Sequence, residues 1–198
     1  MSTVKTTNIT HGSNSGTANM VLASDGSVTF ASAVGLFSSY AIICDQKDST
    51  TDGGTFSTDA WRTRDLNHEI ADPDSIVSIS NNQFTLQAGN YLIKWAAPGY
   101  ACDRHVTRLY DVTNSALRQY GKAEYNNEGN DDVVTDSKGF ARVTPTGATA
   151  YEIQHACQTT KSSSGFGVAT ETNAAGDHAS GTTEGYSIYT VVEIYKEV

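Results

Sequence analysis

The sequence predicts an all-β fold, a sandwich or barrel of short antiparallel strands. Three observations carry this. Phe84 and Leu86 alternate with Thr85 and Gln87, and Tyr91, Ile93 and Trp95 alternate with Leu92, Lys94 and Ala96, which is the period-two mark of a strand with one buried face. Turn formers recur about every ten residues to the C-terminus, Gly89-Asn90 and Pro98-Gly99 among them. No amphipathic helical pattern extends beyond about two turns.

Residues 1–35 stand apart from 36–198 and form a first segment. Within "SGTANMVLASDGSVTF", two apolar pieces, Met20-Val21-Leu22 and Val28 to Phe30, flank Asp25-Gly26, a two-residue hairpin signal. A lone hairpin of this size is marginal in water, so it needs a partner surface. From residue 36 the expected strands are 39–46, 61–67, 76–80, 83–87, 90–97, 105–112, 116–125, 133–143, 151–159, 165–169 and 186–196. Between them lie polar loops at 47–60, 126–132 and 171–185, which is where recognition usually sits on a β scaffold. The last run, "SIYTVVEIYKEV", is apolar at both parities: Ile188, Val192 and Ile194 on one, Tyr189, Val191 and Tyr195 on the other. In a two-layer sandwich only one face meets the core, so the other is expected to meet a neighbouring subunit.

Composition excludes several classes of function. The formal net charge of -9 repels phosphate backbones, against nucleic-acid binding. No window approaches the roughly 20 apolar residues of a membrane helix, and "MSTVKTTNITHGSNSG" has no apolar core of a secretory signal. Cys44, Cys102 and Cys157 are odd in number, outside any C-x-x-C and within apolar runs, so they read as buried inert thiols. The five histidines show no metal-ligand spacing, and His105 reads as a hydrogen-bonded strand residue. Glu128, Asp131 and Asp132 do not match the helix-loop-helix calcium template and read as a solvated turn. No G-x-S-x-G marks a nucleophile, and "GFGVAT" has no helix after it to make a phosphate loop. No cofactor, metal or enzymatic activity is expected.

The order of signals resembles the jelly roll of the tumour-necrosis-factor and complement globular-head superfamily, over roughly residues 39 to 198. The likeness rests on "SYAIICDQK", on Phe84 to Ile93 as an F-x-x-x-x-G-x-Y-x-I type phrase, on Arg108-Leu109-Tyr110, on Gly147 to Ile153, and on the aromatic closing strand from Tyr186 to Tyr195. It implies a homotrimer packed through apolar and aromatic faces around a threefold axis, with Ile188, Tyr189, Val191 and Tyr195 divided between core and axis. Further phrases, "WRTRDLN", "NQFTLQAGNYLI", "RHVTRLYDVT" and "GFGVAT", resemble small fibre proteins of tailed bacteriophages, notably marine phages and cyanophages. That resemblance implies a virion protein made in the host cytoplasm, attached to other virion proteins through residues 1–35. Its head would recognise a host-surface glycan or receptor. Trp61, Tyr125, Asp131, Asp132 and His178 are the candidate contacts, since aromatic faces stack on sugars and polar loop residues bind hydroxyls. A capsid decoration protein or head fibre of the same fold is the alternative.

Overall fold

A computed structural model describes residues 8–9, 20–30, 35–127, 133–169 and 185–198. They fall into two compact units, one reaching to Ser38 and taking in Val198, the other spanning Ser39–Glu197. In the first, β1 (Asn8–Ile9), β2 (Met20–Leu22) and β3 (Val28–Phe30) form a small antiparallel sheet, with Met20 opposite Phe30 and Leu22 opposite Val28. The turn is wider than the two residues expected: Ala23 N–H bonds Ser27 O at 2.9 Å and Gly26 N–H bonds Ala23 O at 3.1 Å. Asp25 closes it by accepting from Ser27 N–H, an Asx turn that lengthens the loop.

The second unit is a sandwich of two antiparallel sheets. Strands β4 (Phe37–Asp48), β5 (Arg62–Thr63), β6 (His68–Ala71), β7 (Val77–Ser80), β8 (Gln83–Leu86) and β9 (Tyr91–Tyr100) come first. They are followed by β10 (Asp103–Asp111), β11 (Ala116–Tyr120), β12 (Glu124–Asn126), β13 (Val134–Val143), β14 (Thr149–Cys157) and β15 (Tyr186–Glu197). One sheet has the order β13-β9-β15-β4-β6. The other is seven-stranded, β11-β10-β14-β8-β7, with β12 also paired to β10 and β5 to β14. Every described strand pairing is antiparallel, so each strand can offer one face to the core and the other outward.

The core lies between the sheets. The five-stranded sheet supplies Ala41, Ile43, Tyr91, Ile93, Trp95, Val192 and Ile194. The seven-stranded sheet supplies Phe84, Leu86, Leu109, Tyr151 and Ile153. At roughly 1.5–3 kcal/mol for each large apolar side chain fully buried, this layer is the main source of cohesion. Gly139 sits opposite Trp95, and a Cβ there would lie 2.1 Å from the indole, so only glycine lets the ring lie flat across β13.

Several expected elements differ from those observed. Pro98-Gly99 does not end β9. Pairing with β15 stops at Ala96 opposite Val191, so Pro98 lies where β9 keeps its β13 neighbour, a position that tolerates a missing N–H. The expected strand at 61–67 shrinks to Arg62–Thr63, because Arg64 turns inward. The stretch 116–125 splits into β11 and β12 at Gly121, whose N–H donates to Thr107 O at 2.9 Å. Residues 165–169 form no strand. They turn and zip against 53–56 through Gly53 N–H to Gly167 O and Phe166 N–H to Gly54 O, which buries Phe56 completely.

Candidate functional site

The outward face of the five-stranded sheet follows from strand alternation. Trp95, Ile93, Val192 and Ile194 point inward, so the registers place Leu92 beside Tyr195, Lys94 beside Glu193 and Ala96 beside Val191 on the other side. The β13 register adds Phe140 beside Lys94. Phe140 is 72% exposed, the extreme case among the aromatics of this unit, and Tyr40 on β4 is also exposed. Charges on this face are already paired within the sheet: Lys94 with Glu193 at 3.2 Å, Arg142 with Glu197 at 2.7 Å, and Tyr195 OH donating to Glu193 at 2.6 Å. Apolar side chains between mutually satisfied charges can be covered without stranding a charge.

Of the four expected interface residues, Val191 and Tyr195 are half-buried on this face and Ile188 is exposed. Tyr189 goes to the core instead. It is 7% exposed, its hydroxyl donates to Thr51 O at 2.6 Å, and its ring lies against Gly167, where φ is +135° and a Cβ would be 2.2 Å from it. The buried parity of β15 switches between Tyr189 and Thr190, so Ser187 and Tyr189 are buried at one parity and Thr190, Val192 and Ile194 at the other. Phe140 was not anticipated, although it stands on the polar parity of β13 with Lys138 and Arg142, which is the signal that marks it.

A buried polar cluster lies beneath the β9–β10–β14 end of the sandwich. Arg64 is completely buried. Its Nε donates to Thr190 Oγ1 at 2.7 Å, Nη1 to Pro98 O at 3.1 Å and Nη2 to Phe166 O at 2.8 Å, with its guanidinium 4.1 Å from the Phe166 ring centre. Burial pulls it down to about 10, so it remains charged at neutral pH. His105 Nδ1 and His155 Nε2 are 2.9 Å apart, and His105 Nε2 is 2.7 Å from Thr135 Oγ1. His155 Nδ1 is buried without a partner among the described residues. A bare lone pair there costs less than a bare N–H, which assigns His155 Nε2–H as donor to His105 Nδ1 and His105 Nε2–H as donor to Thr135. The expected reading of His105 as a hydrogen-bonded strand histidine is what the structure contains. Burial also pushes the Cys102 thiol up to about 11 and the Cys157 thiol up to about 12, and neither is in a disulfide.

This pair makes stability depend on pH. Burial lowers His105 from 6.5 to about 4, with Arg64 lowering it further and Glu124 opposing, and His155 is lowered as well by burial, Arg64 and His105. The unfolded chain therefore binds these protons more readily than the folded one, and the stability present above pH 6.5 is lost as pH falls towards 4. The His105 share is about 3 kcal/mol. Urea midpoints measured from pH 7 to pH 4.5 should fall steadily, and His105→Gln should flatten the decline. A midpoint unchanged over that range would contradict the cluster.

On the opposite outer face, β10 alternation turns Arg104, Val106, Arg108 and Tyr110 outward while His105, Thr107, Leu109 and Asp111 are buried. Trp61 meets this face: the Arg108 guanidinium is 4.0 Å from its ring centre and Tyr120 is 6.0 Å away. Tyr125 is 57% exposed, with Arg104 at 5.6 Å from its ring. Beside it opens a groove of about 620 Å³ between Arg104, Val106, Lys122, Glu124, Tyr125 and Ala156, in which Lys122 and Glu124 pair with each other at 2.8 Å. The structure thus brings Trp61 and Tyr125 to one sheet. Asp131, Asp132 and His178 lie outside the described residues. Among the described residues no cluster of three metal-ligating side chains occurs.

No family model matches the chain, and no curated protein does. Solved structures do. The chain is similar to the Eiger TNF from S. frugiperda, at 10% identity over 80% of this chain and 92% of that one, with a TM-score of 0.50. It is also similar to the globular domain of zebrafish complement 1qA protein, at 15% identity over 79% and 95% of the two chains, with a TM-score of 0.47. Murine APRIL at pH 8.0 matches at 7% identity over 80% and 98%, with a TM-score of 0.46. At 10% identity the likeness to the Eiger TNF speaks to the fold alone, an all-β jelly-roll sandwich.

Proposed function

We propose that the chain is a non-enzymatic virion protein of a tailed bacteriophage, a homotrimeric fibre or knob whose jelly-roll head recognises a glycan on the host surface. The observation that carries the assembly is the apolar outward face of the five-stranded sheet. Phe140, Tyr40, Leu92, Val191 and Tyr195 would leave an uncovered patch on a monomer, and monomers rarely tolerate more than a few hundred Å² of it. Assignment to a phage rests on the fibre-like phrases "WRTRDLN", "NQFTLQAGNYLI" and "RHVTRLYDVT". The small three-stranded sheet near the N-terminus has little apolar area of its own, which suits a segment that docks on another virion protein. Three equal heads on one particle would raise a weak single-site affinity by avidity.

Particles lacking the chain test this reading. Intact capsids that fail to adsorb to the host, with adsorption blocked on normal particles by excess purified protein, are the expected result. Normal adsorption with fragile capsids would overturn it and favour a capsid decoration protein.

A further inference from the structure

We infer that the outer face of the seven-stranded sheet binds a carboxylated polysaccharide, with Arg104 and Arg108 receiving its carboxylates and Tyr125 and Trp61 its ring faces. The inference rests on the glycan-recognition reading above and names the site and the sugar class. It moves recognition from loops to a sheet. Loop 47–60, one of the expected contact loops, is zipped to 161–167 by backbone bonds and plugs the fold with Phe56, so it is held for structural reasons.

The distribution of ion pairs points to the ligand's charge. The chain has 22 acidic residues against 13 Lys and Arg, so carboxylate partners are abundant. Lys47, Lys94, Arg118, Lys122 and Arg142 all take one. Arg104 and Arg108 take none among the described residues; Arg62, Arg64 and Lys161 take none either, but Arg62 and Arg64 are engaged by backbone carbonyls and Lys161 lies over the Tyr100 ring, away from the groove beside Tyr125. Arg104 and Arg108 each bond a neutral amide instead, the first to Gln158 Oε1 at 2.8 Å and the second, through Nε, to Gln154 Oε1 at 2.6 Å. Both lie over aromatic rings: Arg104 at Tyr125, Arg108 at Trp61 and, 5.0 Å away, Tyr110. Stacking holds a guanidinium in place and leaves its charge and in-plane donors for a ligand carboxylate, which the planar fork fits in bidentate fashion.

Shape supports a sugar chain. Arg104 and Arg108 are four residues apart on β10, so about 13 Å separates their Cα atoms along the strand. Between them lies the apolar floor of Val106 and Ala156, within the groove that Tyr125 borders. A row of cation, apolar floor and cation flanked by the exposed Tyr125 and the half-buried Trp61 suits an extended polymer with a charge on each repeat and apolar faces between. The face lies on the opposite side of the sandwich from Phe140 and Val191, so assembly through those residues leaves it open. With a net charge of -9 the chain as a whole repels polyanions, so retention of one requires a local site.

Titration of the full chain with polygalacturonate, with neutral dextran as control, tests this. Binding of the uronate polymer and not of dextran is expected. The double variant Arg104→Gln, Arg108→Gln should weaken it roughly tenfold or more, and Tyr125→Ala, altering one exposed ring, should weaken it with an unchanged melting temperature. Binding of both polymers alike, no binding of either, or full binding in the folded double variant would each overturn the inference. Failure here is separable from failure of the proposed function: protein that blocks phage adsorption yet ignores polygalacturonate removes only the carboxylated-sugar site, whereas protein that blocks no adsorption removes the host-recognition reading.

Discussion

Arg64→Met should destabilise the fold by about 3–5 kcal/mol, read as a fall in the urea midpoint at pH 7. Methionine fills much of the space but donates nothing. Pro98 O would lose its donor in a closed interior, at about 1–3 kcal/mol, Thr190 Oγ1 would lose another, and Phe166 O would lose one at a partly buried position. The stacking on Phe166 would go too. One effect opposes these: the substitution removes the cost of burying a cation that has no direct carboxylate partner among the described residues. The acceptors decide the sign, because one side chain satisfies three of them from three segments, β9, β15 and the turn at 166. Arg64→Lys should recover only part of the loss, since a point charge cannot fork to three acceptors. A change below about 1 kcal/mol in the methionine variant would mean that the desolvation cost matches the bonds.

Phe140→Asp and Val191→Asp should each convert the proposed trimer to monomer or aggregate while far-ultraviolet circular dichroism stays that of a β protein. Phe140 contributes nothing to the core at 72% exposure, and Val191 is on the outward parity of β15. An aspartate buried in an apolar subunit contact costs roughly 2 kcal/mol or more per copy, and closed symmetry repeats the cost in every subunit. Tyr189→Asp is a different experiment. It would break the bond to Thr51 O and place a charge in the interior, so loss of folding rather than dissociation is expected there. Assembly unchanged in both the Phe140 and Val191 variants would remove this face as the contact.

Much of the fold was legible from alternation. Phe84, Leu86, Tyr91, Ile93 and Trp95 read as inward, and each lies in the core. Alternation also carried more than apolar patterns reveal. Arg64 shares parity with Leu66, and His105 with Leu109, and all four are buried. A polarity scale places such residues outside, because it cannot see Thr190, Thr135 or the backbone acceptors, which lie far along the chain. Tyr189 was illegible for another reason. The parity of β15 switches beside it, and one shifted residue sends a side chain to the other face. The zipped loops at 53–56 and 163–167 depend on backbone bonds more than a hundred residues apart, with only scattered glycines to announce them. The arginine-aromatic face was half legible: Trp61 and Tyr125 stood out as aromatics near loops, but bringing Arg108 under Trp61 required the β5–β14–β10 order of the sheet.

Sedimentation equilibrium of the 198-residue chain at neutral pH tests the central claim, self-association through the outward face of the five-stranded sheet, most directly. The expected mass is three times the 21.1 kDa of one chain, independent of loading concentration in the micromolar range. A single species at 21.1 kDa would contradict it, because the apolar face around Phe140 and Val191 would then stand in water with nothing to cover it.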